Sequence, residues 1–289
     1  MTRDNRQQLQ EPGLLIPAVL VVLAVIAAGI YFWAGGRKGP EMFEEKTPVI
    51  SSDDSKMQGK IEIPQIEYPV PQEGGKAEGV ITQPEHEAEP LPFLDESDAF
   101  IEEEFRHLYD EQKFGSLFIL KNIIRNIVVT IDNMTGPKLP QKFSLLKPPV
   151  GRFQAEKDAT GSEFIDPRNY GRYIPFVDLA EAVDIRRFMS FYVRYYALFQ
   201  QAYRELGYPD RYFNDRFVQV LDHLLAAPEV HDPVKLVRPK VFYQYADPGL
   251  EALSAGQKIM VRIGPDNAAR VKARIRELRQ ALTSLKKKK

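Results

Sequence analysis

Cysteine is absent from this chain of 289 residues. That absence removes disulfides, thiol catalysis, cysteine-ligated zinc and a lipidated N-terminal cysteine together. Histidine is scarce: His86, His107, His223 and His231 are the whole set, and no two stand at a close metal-ligand spacing. No GxxxxGK(S/T), HExxH or GxSxG occurs, nor a GxGxxG after a strand, so the common phosphate-loop, zinc-protease, hydrolase and dinucleotide signatures are missing. An excess of one charge is also missing, since 39 basic residues meet 40 acidic ones for a net charge of −1. That balance hides a segregation. Residues 39–95 hold thirteen acids against four lysines, net −9, and residues 258–289 hold eleven bases against Asp266 and Glu277, net +9. What is present in quantity is apolar surface, 44% of residues, enough for some part of the chain to bury a core.

Long apolar runs are lacking except for one, residues 14–34, LLIPAVLVVLAVIAAGIYFWA, 21 residues without a charge. At 1.5 Å per residue a helix of that length covers a hydrocarbon core of about 30 Å. Pro17 lies near its start, where a missing amide donor costs little. Tyr31, Phe32 and Trp33 close the far end, where aromatic rings favour the headgroup boundary. A cleaved signal peptide is the competing reading, but the run is too long and no small-x-small site follows it. The sequence therefore predicts a cytoplasmic tail at 1–13 and an uncleaved transmembrane helix at 14–34. Arg3 and Arg6 on one side nearly balance Arg37, Lys38 and Lys46 on the other. The short tail, the long downstream domain and the lack of cysteine favour a C-terminal domain outside the cytoplasm.

Residues 35–92 read as a disordered spacer. Pro40, Pro48, Pro64, Pro69, Pro71, Pro84, Pro90 and Pro92 recur among acids, and no sustained apolar period could offset the entropy of ordering. Stretches such as IEIPQIEYPVPQ suit extended polyproline-type chain. Within it, residues 61–70 carry a weak strand-forming docking pattern.

The folded part is expected at 93–285 as a mainly α, compact multi-helix domain with at most a small β-hairpin. Asp95 or Ser97 can cap a helix through Gln112, with Ile101, Phe105, Leu108 and Tyr109 on one face. Residues 116–133 read as one central buried helix, because Lys121, Arg125 and Asp132 make a second membrane span costly. Phe153–Ala155 and residues 163–165 suit a hairpin, and Asp166-Pro167 a helix start. After a short helix at 176–183, Asp184 caps residues 185–206. There Phe188, Phe191, Tyr192, Tyr195, Tyr196, Phe199 and Tyr203 form an aromatic stripe at steps of three and four. Such a stripe can stack a sugar or base, but it more often fills a core. Residues 211–226 and 253–263 read as further helices. Residues 234–245 read as an edge strand or arm because of Pro239. The last helix, 266–285, places Ala268, Val271, Ile275, Leu278, Leu282 and Leu285 on a seam expected to dock on 185–206 or 116–133.

GYPDRYFNDRFVQVLDHLLAAPE (207–229), RPKVFY from Arg238 and LSAGQKIMVRIGPDNAARVKARIRELR (253–279) resemble a bacterial family, domain of unknown function 3014. LPFLDESDAF, VTIDNM, GRF and IDPRNYGRYIPFV are similar too, so the resemblance covers about residues 91–285. It implies an inner-membrane-anchored protein of Gram-negative bacteria with a Pro-rich spacer and a helical domain. It implies no activity.

The search for chemistry therefore rests on the residues. Neither Ser190 nor Ser254 has a base at readable spacing, and His107 and His223 stand alone on helices. Asp178 and Glu181 share a helix face at i, i+3 and could serve as a carboxylate pair in glycoside hydrolysis. A solvated face explains them equally. Arg270, Arg274 and Arg279 form a candidate interaction face for an envelope protein or an anionic surface. An extracytoplasmic domain would meet no nucleic acid. No cofactor and no metal site is expected. The expectation is a single-pass inner-membrane protein with a periplasmic binding or scaffolding domain. The alternative is an envelope enzyme acting on a cell-wall polymer through Asp178 and Glu181.

Overall fold

A computed structural model describes residues 65–71, 90–106 and 117–285. The expected transmembrane helix at 14–34, most of the spacer, His86, His107 and the basic tail at 286–289 lie outside the described residues. Among the described residues no helix is long and apolar enough to cross a membrane.

Helix α1 (Asp98–Arg106) follows a 3₁₀ turn at Leu94–Glu96 and buries Ile101 and Phe105. The run at 116–133, expected as one helix, is divided. Helix α2 occupies only Ile123–Asn133. Before it Phe118 bridges to Leu146, with the Ile119 N–H donating to Leu145 O and the Lys147 N–H to Leu117 O, each at 2.8 Å. The break has a cause outside the run. Asp98 of α1 accepts the N–H groups of Asn122 and Ile123 at 2.6 and 2.7 Å, and Asn122 takes the left-handed conformation at φ 49°. A remote carboxylate thus supplies the cap and sets where the helix starts.

Helix α3 (Ile174–Glu181) leads to α4 (Ile185–Glu205), whose cap is Asp184, accepting from the N–H groups of Arg186 and Arg187. All seven rings of the expected stripe are buried, so the stripe is core. It packs on α2 and on the rings of α5 (Phe213–Leu225): Phe199 stacks on Phe213 at 5.7 Å, and Tyr192 meets Phe217 edge-on at 6.0 Å.

Helix α6 (Ala255–Arg262) starts at Ser254, whose hydroxyl accepts the Gln257 N–H. The last helix, α7 (Pro265–Thr283), follows at once. Gly264 makes that junction possible: its φ is +89°, and a Cβ there would lie 2.5 Å from the Tyr170 ring. Val271, Ile275, Leu278 and Leu282 of α7 are buried, as the seam predicts. Of the two expected docking partners, α4 (185–205) is met, but the seam lies chiefly on α5 and α3.

The chain forms more β-structure than a hairpin. Strands β1 (Ala155–Lys157), β2 (Glu163–Ile165), β3 (Lys235–Val237) and β4 (Gln244–Tyr245) make an antiparallel sheet in sequence order. Its register pairs Ala155 with Ile165, Glu163 with Leu236, and Leu236 with Tyr245. Residues 234–245, expected as one edge strand or arm, fold back on themselves around Pro239, which cannot donate to a ladder. Ile165, Val234, Leu236 and Tyr245 with Val261 of α6 form a small second core under the sheet. The described architecture is a mainly helical domain carrying this sheet.

Candidate functional site

The two sets of charged residues singled out by sequence meet each other. Asp178 and Glu181, one turn apart on α3, both face Arg270 on α7. The Arg270 guanidinium donates to Asp178 Oδ1 at 2.6 Å and to both Glu181 oxygens at 2.9 and 2.5 Å. This hydrogen bonding holds the Glu181 carboxyl below its usual range and raises Arg270 further above its own. Arg279 forks onto Asp222 of α5, donating from Nη2 at 3.0 Å. Arg274 donates to Val183 O and pairs with Glu277. Lys272, on the same helix, is buried rather than solvated: its ammonium donates to Ala227 O at 2.7 Å. The basic helix is therefore ion-paired to α3 through Arg270 and to α5 through Arg279, while Arg274 pairs within its own helix.

His223 of α5 does have a serine within reach. Its Nε2 lies 2.7 Å from Ser254 Oγ, while the Gln257 amide donates back to the His223 carbonyl at 3.1 Å. Sequence reading missed the pair because 31 residues separate its members. Distance alone fits a nucleophile and its base. The rest does not: the Ser254 oxygen already accepts the Gln257 N–H, and Asp222, the carboxylate beside His223 in sequence, is committed to Arg279. Burial, then the Arg216 charge, push the His223 pKa down, favouring a neutral ring. The pair straps α5 to α6. Among the described residues no group of His, Asp and Glu is placed to hold a metal ion.

The third feature lies in the expected spacer, where residues 61–70 carry the weak docking pattern. Residues 65–71, QIEYPVP, seat on the N-terminal end of α5. Asp215 accepts the N–H of Glu67 at 3.1 Å on one oxygen and the N–H of Tyr68 at 2.8 Å on the other. The Asn214 amide donates to the Tyr68 carbonyl at 2.8 Å. Tyr68 and Val70 pack against the main core. Asn214 is fully buried, and the equally buried Tyr192 hydroxyl donates to its Oδ1 at 3.1 Å, which aims its NH₂ group at the segment.

Two residues of α4 free Asn214 and Asp215 for this task. Gln200 accepts the Phe213 N–H at 2.9 Å, and the Tyr196 hydroxyl accepts the Asn214 N–H at 3.5 Å. Helix α5, which has no side-chain cap at Tyr212, is thus capped from its neighbour. Burial pushes the Tyr196 phenol up to about 12, so it stays protonated and donates to Gln200 at 3.1 Å. A cleft of about 290 Å³ opens beside the segment, walled by Val70, Tyr196, Gln200, Arg204 and Tyr212. Arg279 lies within Coulombic reach of Glu67 and Tyr68. A helix that opens Phe-Asn-Asp behind an uncapping tyrosine was the available signal in the sequence.

No curated protein and no solved structure matches the chain. Residues 123–279 match the model of a family described as a protein of unknown function, DUF3014, and span all of α2 to α6 and most of α7. The chain belongs to this family.

Proposed function

We propose that the protein is an inner-membrane-anchored module of the bacterial envelope whose periplasmic domain binds or scaffolds a partner protein. The observation that carries the binding reading is the seating of residues 65–71: the domain holds a short stretch of polypeptide, bent at Glu67-Tyr68, by its main chain through Asn214 and Asp215. The anchor rests on the uncharged 21-residue run at 14–34 and on the spacer that follows it. The alternative, hydrolysis through Asp178 and Glu181, fares poorly against the geometry. One guanidinium occupies both carboxylates, and Glu181 is held below its usual range where a general acid requires a raised value. Arg270 and Arg279 serve as counter-ions to Asp178, Glu181 and Asp222.

Two measurements test the reading. Alkaline phosphatase fused after Leu285 is expected to be active; an inactive fusion overturns the topology. Crosslinking in cells is expected to trap the chain with another envelope protein. A chain recovered only as itself would overturn the binding role.

A further inference from the structure

We propose that the groove between α4 and the N-terminal end of α5 is a recognition site for a Glu-Tyr-Pro-Val-Pro-type segment of a partner protein, bent at its Glu-Tyr step as residues 67–68 are. Residues 66–71 of the chain's own tether occupy it in cis until that segment displaces them. This rests on the binding-module reading and names its ligand.

The groove is built before the peptide arrives. Asn214 is oriented by Tyr192 and Asp215 is released from capping by Gln200 and Tyr196, so donor and acceptor stand ready in a fixed frame. They read two consecutive N–H groups and the next carbonyl, atoms that any peptide offers. Selectivity comes from what flanks them. Positions 69 and 71 carry prolines, which bring no N–H and little conformational entropy to lose. Tyr68 and Val70 supply the partly buried side chains. The acid at position 67 feels the charge of Arg279, most of which Asp222 neutralises.

The occupant is held lightly. None of residues 65–71 lies in a strand or helix, and Ile66 is 43% exposed. A contact this small holds because it is intramolecular, at an effective concentration on the order of millimolar for a short link. Tyr192, Asn214, Asp215 and Arg279 all lie within the span that matches the family, 123–279, whereas the seated segment lies outside it.

The test uses the full-length protein and a fluorescein-labelled peptide copying residues 64–72, read by anisotropy. The wild-type chain is expected to bind it weakly. The chain carrying Tyr68→Ala and Val70→Glu, its own segment disabled, is expected to bind at least about tenfold more tightly, since the competing cis ligand is gone. Adding Asp215→Asn to that chain is expected to weaken binding about tenfold, the scale of one lost charge-assisted hydrogen bond. Should the disabled chain lose its cooperative melt, the peptide in trans is expected to restore it.

The proposal falls if the disabled chain neither binds the peptide nor is restored by it, or if Asp215→Asn leaves binding unchanged. It also falls if the wild type is a dimer that Tyr68→Ala with Val70→Glu makes monomeric, because the ligand would then be a second copy. A peptide left unbound while crosslinking still traps an envelope protein sinks this site and spares the binding-module reading.

Discussion

Ser254 caps α6 with one lone pair while its hydroxyl meets His223 Nε2 at 2.7 Å. That arrangement fits a neutral imidazole accepting the hydroxyl proton, and it has a pH signature. The His223 pKa is lowered in the fold, by burial first and by the Arg216 charge second. As pH falls, the unfolded chain takes up this proton near 6.5, before the native state does. Stability is therefore unaffected by His223 above that value, and declines as pH drops from the unfolded pKa to the lower native one. The variant His223→Gln keeps a polar group at this position and does not titrate. Urea denaturation at pH 7.5 and 5.0 is expected to show the wild type losing stability relative to His223→Gln at the lower pH; parallel behaviour would refute the neutral-ring assignment. At this scale the residue types were legible in the sequence and their partners were not. Asp178, Glu181 and Arg270 were each singled out, yet nothing in a linear pattern says that α3 and α7 lie side by side and neutralise one another.

Element by element, starts with a local cap were readable and starts with a remote cap were not. Asp184 caps the helix it immediately precedes, as a short polar residue before a helical pattern implies, whereas Ser254, the cap of α6, falls inside the helix expected at 253–263. The start of α2 depends instead on Asp98, 24 residues upstream. Replacing Asp98 by Ala leaves the first N–H groups of α2 and the strained Asn122 without their acceptor. The expected loss is about 1–2 kcal/mol, the upper part of the range for a lost cap, with Asp98→Asn recovering a portion. A chemical-denaturation midpoint unmoved by Asp98→Ala would show that the Asn122 turn holds itself. The hairpin β1–β2 was legible because Asp158-Ala-Thr-Gly-Ser is turn chemistry: the Asp158 carboxylate accepts the Thr160 and Ser162 N–H groups. Residues 65–71 were legible in part: the weak docking pattern at 61–70 marked the place but implied a strand, and 65–71 form none. They are recognised mainly through their backbone, and backbone recognition leaves no apolar period to read.

For the whole molecule, α7 decides whether the described chain is one folded unit or a platform for self-association. Its seam is two residues per heptad wide, which suits either a docked helix or a short coiled coil. The structure buries that seam on α5 and α3 and ties the helix down from its sides through Arg270, Lys272, Arg274 and Arg279. The basic excess of residues 258–289 is thus partly neutralised on folding, since Arg270 finds its acids on α3 and Arg279 finds one on α5. Ile275 is fully buried in the middle of this contact. Placing a carboxylate there, Ile275→Asp, strands a charge in the core at a cost of about 3–5 kcal/mol, against the 5–15 kcal/mol that holds a typical domain together. The expected result is a fall in the melting temperature on the order of 10 °C with no change in oligomeric state. Arg276→Glu, on an exposed position of the same helix, controls for the added negative charge and is expected to leave the melt within about 1 °C. If Ile275→Asp instead kept its melting temperature while converting a dimer into a monomer, the seam would belong to an interface between copies and the packing of α7 on α5 and α3 would be wrong.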